Sequence, residues 1–165
     1  IPGVILAVAF ITFIAWFDNT VVNFFGIKTI KSIFIGSIVG LVSVYFVRFY
    51  SLACNGIKSG YLKINYSIDE SAYLLGYSKF KTFKNIHFPY LRNSLLLIGL
   101  IIAIEVIKEL PITLIMRPFN FETFATTAYI YASQDLLEAA AAPSLFLILT
   151  TSVFILITSR YTLRD

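Results

Sequence analysis

Three charged side chains interrupt an apolar stretch in the second half of the chain. Glu105, Lys108 and Glu109 stand at positions i, i+3 and i+4, which a helix would place on one face. Charged groups are costly in hydrocarbon and usually face a bundle interior or a water-filled cavity. These residues could therefore line a path for a cation, because carboxylates suit a metal ion. Pro111 would open the helix near the outer mouth of that path.

The same charges also allow a structural interpretation. Glu105 and Lys108 could neutralise each other, while Arg117 meets Glu122 or a lipid phosphate at the interface. Both interpretations can hold at once, and the spacing favours neither.

The sequence contains no other grouping that indicates catalysis or metal binding. It has one Cys, Cys54, and one His, His87, with no cluster of metal ligands and no Gly-rich phosphate loop. His87 is expected to form a hydrogen bond at an interface rather than to act as a ligand or a catalyst. We therefore expect no catalytic residue, no metal and no ATP site on this chain.

The composition is that of a membrane protein. Of the 165 residues, 58% are hydrophobic and 13% are charged, about half the charged fraction of soluble domains.

A span needs about 20 largely apolar residues. The chain contains four candidate spans: 1–17, 32–50, 94–116 and 139–159. Asp18-Asn19-Thr20 should end the first span, and Arg48 should reach an interface at the end of the second. The predicted fold is an all-α polytopic transmembrane bundle.

The distribution of basic residues predicts the orientation of the spans. Most of them lie between the second and third spans or in the tail, namely Arg48, Lys58, Lys63, Lys79, Lys81, Lys84, Arg92, Arg160 and Arg164. Basic segments are retained on the cytoplasmic side. Four spans put the central loop and the tail on the same side, so we expect both in the cytoplasm.

The central loop is predicted to fold as a helix, a glycine bend and a second helix. Residues 67–70, Ser-Ile-Asp-Glu, have the pattern of a capping box, and Gly76 would end the first helix in the left-handed conformation. The second segment covers 77–85, and Pro89 should break the chain before the third span. Such a structure in water indicates contact with a cytoplasmic protein. The alternative is an amphipathic hairpin lying on anionic lipid, with its lysines held by phosphates.

This loop resembles the signature loop of binding-protein-dependent ABC importer permeases. The signature is Glu-Ala-Ala, three residues, Gly, nine residues and Ile-x-Leu-Pro; here Ser replaces one Ala and Phe88 replaces the Leu. The motif positions are Glu70, Ser71, Ala72, Gly76, Ile86 and Pro89. In these type I permeases, with their MetI-like transmembrane domain, the loop is a coupling helix that inserts into the ATPase subunit. The resemblance thus implies a coupling loop at 67–89.

The resemblance extends to the ferric iron permeases of this superfamily, and less specifically to the thiamine permeases. It is carried by residues 1–7, 45–49, 108–119 and 122–126. It implies a multi-pass subunit of the bacterial plasma (inner) membrane that binds no cofactor, with ATP on a partner ATPase. The other implied partners are a periplasmic substrate-binding protein, a second permease lobe or subunit and membrane lipid, with no nucleic acid.

The sequence therefore predicts that residues 1–165 form part of a permease domain for ferric iron that works by alternating access. Glu105, Lys108, Glu109 and Pro111 are its candidate path. A permease for thiamine or another small solute is one alternative. A membrane scaffold subunit or integral membrane enzyme with a lipid-bound loop is another. Because the chain opens without Met or a charged n-region, we expect a C-terminal piece of a longer polypeptide rather than a signal peptide.

Overall fold

The computed structural model describes residues 2–25 and 34–162, and these form helices joined by short connections, with no strand among them. The helices are α1 Gly3–Phe25, α2 Ile38–Tyr61, α3 Tyr66–Leu74, α4 Lys79–Thr82, α5 Phe88–Ile107, α6 Pro111–Met116, α7 Phe124–Ser133 and α8 Leu137–Thr162. A π-helical turn, Phe83–His87, joins α4 to α5, so that Lys79–Ile107 is one continuous helix.

Four helices in the described part are long and apolar enough to cross a membrane. They cover Gly3–Phe24, Ile38–Tyr61, Lys79–Ile107 and Leu137–Tyr161. The all-α polytopic bundle predicted from the sequence is therefore confirmed.

The first helix does not end at Asp18-Asn19-Thr20, and that prediction is wrong. α1 continues to Phe25. Asp18 is only 1% exposed, and its carboxylate accepts hydrogen bonds from the N–H groups of Phe34, at 3.2 and 3.1 Å, and Ile35, at 3.3 Å. The charge is satisfied by backbone donors just ahead of α2, so it needs no water and does not end the helix. The structure does not describe residues 26–33, which connect α1 to the segment ahead of α2.

The second helix also runs further than predicted. It begins at Ile38, where Ser37 caps it by accepting a hydrogen bond from the Gly40 N–H at 3.1 Å, and it continues past Tyr50 to Tyr61. Arg48 consequently lies in the middle of α2 instead of at an interface. Its guanidinium is paired within the bundle, as described below.

The third predicted span, 94–116, differs at both ends. The helix already begins at Lys79, inside the predicted loop, and it ends at Ile107. After a short break, Pro111 occupies the first turn of the separate helix α6, where its missing N–H costs nothing. The fourth span is observed as α8, which accommodates Pro143 within the helix and extends beyond both predicted ends.

The buried core lies where α1, α2 and α6 meet. It consists of Ala7, Ile14, Leu41, Val44, Ile112 and Met116. α2 packs against α5, α5 against α8, and α7 against α8. Two glycines of α2 allow its close approach to α5, since a Cβ at Gly56 would lie 2.6 Å from Cγ1 of Ile98 and a Cβ at Gly60 would lie 3.1 Å from Cδ2 of Leu91. The far end of this helix pair carries the predicted loop.

Candidate functional site: a helical foot and a charged helix break

The predicted loop folds as a compact hairpin of helices, which we call the foot: α3, the bend at Gly76, and the helix from Lys79 to His87. The predicted capping box is not formed. α3 begins at Tyr66 after Asn65, with no side-chain cap, and Ser67 lies inside the helix, where its carbonyl oxygen accepts a hydrogen bond from the Ser71 hydroxyl at 2.8 Å. The chain thus enters α3 earlier than the capping pattern predicted.

Gly76 adopts the predicted left-handed conformation, with φ of 77°. The N–H of Tyr77 donates to the carbonyl of Ala72 at 3.0 Å, and the N–H of Gly76 donates to that of Tyr73 at 3.0 Å. These two bonds are those of a Schellman motif, which satisfies the last carbonyls of a helix. The bend between the two limbs of the foot is therefore a defined turn.

Pro89 does not break the chain, contrary to the prediction. It lies in the first turn of α5, and the helix passes through it from the foot into the span. The π-helical turn immediately before it, in which the Phe88 N–H bonds to the Phe83 carbonyl, allows this. In a regular α-helix, proline has no N–H to donate to the carbonyl of residue i−4, and its ring clashes with that carbonyl. The wider π-helical turn relaxes the i→i−4 hydrogen bonding at this point. The second limb and α5 consequently form one rod.

His87 connects the two limbs of the foot with the end of α2. Its Nε2 lies 2.7 Å from Oδ1 of Asp69 in α3, and its ring stacks on Tyr61 at the end of α2, with centroids 5.6 Å apart. Only 9% of His87 is exposed. The contact agrees with the hydrogen-bonding role predicted for His87. No sequence pattern indicated Asp69 as its partner, because no local helical spacing relates the two residues.

The tip of the foot is apolar and exposed. Leu74 is 89% exposed, and Tyr73, Leu75 and Phe80 are also largely exposed. Of the motif residues, Glu70, Ser71, Gly76 and Pro89 are exposed, Ile86 is half-buried and Ala72 is buried. Ser71, Ala72 and Ile86 line, with Ser67, Ile68, Leu75, Tyr77 and Asn85, a groove of about 350 Å³ between the two limbs. Three of the six motif residues therefore line one groove of the foot.

The charged residues 105, 108 and 109 do not share one helix face, and that prediction is wrong. Glu105 and Lys108 form an ion pair, with Nζ 2.7 Å from Oε1, and both side chains are exposed. The helix ends at Ile107, with Lys108 as its C-cap, so Glu109 leaves the helical spacing and points elsewhere. The Glu105–Lys108 pair is the one expected in the structural interpretation.

Glu109 is instead buried, with 6% exposed, and it pairs with Arg48 of α2. Nε of Arg48 lies 3.1 Å from Oε2 of Glu109, while Oε1 accepts a long hydrogen bond of 3.5 Å from the Ile112 N–H. The backbone carbonyl of Glu109 accepts a hydrogen bond from the Thr113 hydroxyl at 2.6 Å, and Thr113 in turn bonds to the Tyr45 hydroxyl. The break between α5 and α6 is thus held from α2 at two points.

A third ion pair of Glu with a basic residue follows α6. Arg117 pairs with Glu122, and its Nη1 also donates to the Phe121 carbonyl at 3.4 Å. This pair, too, was foreseen by the structural interpretation. Among the residues that the structure describes, no group of three or more His, Cys, Asp or Glu side chains is placed to hold a metal ion.

No protein family model matches the chain, and no solved structure matches it. It is similar to the ferric transport system permease protein FbpB of Actinobacillus pleuropneumoniae, with 35% identity over 103 residues. It is also similar to the putative ferric transport system permease protein FbpB 1 of Haemophilus influenzae, with 33% identity over 104 residues. The matches cover 60% and 61% of this chain, but 15% and 16% of the relatives. The chain therefore spans a small part of the length of the curated relatives it matches, and both are permeases.

Proposed function

We propose that this chain is part of the permease subunit of an ABC importer, that the foot docks on the ATPase subunit, and that the transported solute is ferric iron. The foot carries the proposal. It is a folded helical hairpin with an exposed apolar tip, set at one end of a bundle of candidate membrane spans. The names of the two ferric permeases support the choice of solute.

The surface of the foot suits a protein partner. Four large apolar side chains of the foot are exposed, those of Tyr73, Leu74, Leu75 and Phe80. On an element that lies in water, exposed apolar surface favours an interaction site. Small side chains at Ser71 and Ala72 allow a partner helix to approach the groove closely. The neighbouring Lys79 and Lys81 add positive charge at the rim, and the Lys81 ammonium lies 4.7 Å from the Tyr77 ring centroid. A groove on an ATPase with acidic rim residues would complement this surface.

The helix from Lys79 to Ile107 is continuous, and this continuity suggests how the foot could act on the charged residues at the end of α5. A displacement of the foot by the ATPase would be transmitted along this helix, because it is continuous from the foot to the end of α5. The His87 contact with Asp69 keeps α3 fixed to the same rod. ATP would be bound and hydrolysed on the partner, and this chain would contribute movement of its spans.

The charged break, which is the segment between the end of α5 and the start of α6, would then lie beside the path of the transported solute. Glu105 and Lys108 are exposed on the chain and can change partners when a cation passes. A periplasmic binding protein would deliver the solute to the outer face, and a second permease lobe or subunit would complete the path.

Site-specific crosslinking tests the docking. In a Cys54→Ser background of the full-length protein, Leu74→Cys should crosslink to a co-expressed ATPase subunit, because Leu74 is at the exposed tip. The matched control is Ser133→Cys at the end of α7, which should not crosslink. A complex that transports but gives no crosslink from Leu74 would contradict the docking. Crosslinks to lipid alone would favour the lipid-bound hairpin.

Uptake measurements test the solute. Cells that lack other iron routes should accumulate radioactive ferric iron only when the permease, its ATPase and its binding protein are all present. Thiamine uptake should not change. Thiamine accumulation without iron accumulation would assign the protein to the alternative permease class.

A further inference from the structure

We propose that Arg48 and Glu109 are positioning residues that fix the short helix α6 across the first two spans, and that neither contacts the transported solute. The pairing stands on the geometry alone, whereas its consequence for transport rests on the proposed function. This separates Glu109 from Glu105 and Lys108, with which its sequence spacing groups it.

The burial of the two carboxylates differs, and this difference assigns their roles. Glu109 is 6% exposed and has Arg48 and the Ile112 N–H as partners, whereas the Glu105 side chain is 39% exposed. A buried carboxylate with a fixed cation and a backbone donor is already satisfied, and a passing ion would have to displace both. An exposed pair can exchange partners at little cost. Of the two glutamates, only Glu105 is therefore placed to meet a solute.

The second contact between α2 and α6 shows that the ion pair acts as part of a clamp. Tyr45 and Arg48 lie one turn apart on α2, and they contact Thr113 and Glu109, which also lie one turn apart. Two parallel contacts fix both the position and the rotation of α6. The buried Ile112 and Met116 are thereby held in the core between α1 and α2.

The N-terminal end of α1 packs closely against the same ion pair. A Cβ on Gly3 would lie 3.0 Å from Oε1 of Glu109 and 3.2 Å from Nη1 of Arg48. Even an alanine would therefore crowd the ion pair. The absence of a side chain at Gly3 lets α1 pack directly over it, so the pair bridges three helices and not only two.

Paired substitution separates a positioning role from contact with the solute. We would compare Arg48→Met, Glu109→Met, the double variant Arg48→Met/Glu109→Met and the conservative Arg48→Lys in the full-length protein. Three quantities are measured: abundance in the membrane, thermal unfolding of the purified protein in detergent, and the maximal rate of ferric iron uptake per molecule. The first two do not depend on the proposed function. Glu105→Met is the matched control.

Arg48→Met leaves the buried Glu109 carboxylate without its cation, and abundance should fall roughly tenfold or more. Glu109→Met leaves the partly buried Arg48 guanidinium without this carboxylate, and abundance should fall less. The double variant removes both charges and keeps the volume, so its abundance and unfolding temperature should return close to those of the unmodified protein. Its uptake per molecule should return as well, to within about threefold. Arg48→Lys should rescue uptake per molecule relative to Arg48→Met, because it restores the cation. Glu105→Met should keep its abundance.

Two results would overturn the proposal. If the double variant regains abundance but not uptake, while Glu105→Met retains uptake, one of these charges acts on the solute. If the double variant is as unstable as the singles, the ion pair does not hold α6. Loss of ferric iron uptake by every protein, the unmodified one included, would instead contradict the proposed solute, and the two stability measurements would still decide the positioning role.

Discussion

Asp69 and His87 lie in different limbs of the foot, separated by 18 positions in the chain, and their side chains meet with 2.7 Å between Oδ1 and Nε2. The same imidazole stacks on Tyr61. One side chain thus joins α3, the π-helical turn and the end of α2. The orientation of the foot relative to the spans depends on this contact, and the first prediction follows from it.

Removing either partner of this contact should loosen the foot without removing the protein from the membrane. We expect Asp69→Ala and His87→Ala each to lower the unfolding temperature in detergent and to reduce uptake more than abundance. In a double-mutant cycle the two changes should be non-additive by roughly 1 kcal/mol. Additive effects would mean that the contact contributes nothing to stability.

Gly76→Val should impair coupling through backbone strain. No atom lies within 4 Å of a Cβ placed at Gly76, so there is no steric clash with neighbours. A β-branched residue at φ of 77° costs about 1–2 kcal/mol, however, and would reopen the bend. We expect normal abundance with strongly reduced uptake. Gly76→Asn is the matched control, since Asn tolerates this conformation, and it should retain most of the uptake. Equal uptake by the two variants would argue against a role for the bend.

Gly56→Ala should separate α2 from α5. Its new methyl group would lie 2.6 Å from Cγ1 of Ile98, so the unfolding temperature should fall. Ile98→Ala makes room and should restore it in the double variant. Gly99→Ala, which meets no atom within 4 Å, is the control and should be neutral or slightly stabilising. A stable Gly56→Ala single variant would show that the two helices can move apart freely.

Reporter fusions should place the two ends of the bundle on opposite sides of the membrane. A fusion at Lys63 and one after Asp165 should give cytoplasmic signals, and one at Ser133 should give a periplasmic signal, because basic segments are retained inside. A periplasmic signal from Lys63 would invert the orientation and leave the foot without access to an ATPase.

Glu105→Gln should reduce ferric iron uptake while leaving abundance unchanged. The pair that Glu105 makes with Lys108 is exposed and contributes little to stability. Lys108→Met tests the same pair from the other side. If both variants transport at the unmodified rate, the pair is outside the path.

Features with a local cause could be predicted from the sequence. Long apolar runs required spans, and these are observed as four long helices. Gly76 stood after the last turn of a short helix and is left-handed, as expected. The single His was expected to form a hydrogen bond, and it does. For the spans and for Gly76 the deciding interaction lies within a few residues or follows from hydropathy alone, whereas the partner of His87 lies 18 positions away and was not predicted.

Features that depend on distant partners could not be predicted. Asp18 looked like the end of a helix because its backbone donors at Phe34 and Ile35 belong to a later turn. Arg48 looked interfacial because Glu109 is far away in sequence. Glu109 was grouped with Glu105 because the end of the helix at Ile107, which changes its direction, has no strong signal before Pro111. These errors share one cause. The position of a charged side chain in an apolar segment depends on the groups that pair with it, and those groups can be distant in the sequence.

The uninterrupted helix Lys79–Ile107 has a mechanical consequence. Its 29 residues extend roughly 43 Å at 1.5 Å per residue, more than the hydrocarbon thickness of about 30 Å. If this helix crosses the membrane, the end that carries the foot extends beyond the hydrocarbon. A tilt of roughly 10° about the charged break would sweep the foot through about 7 Å, more than the rise of one helical turn. A partner bound to the foot would act at the end of the helix where a given tilt produces the largest displacement.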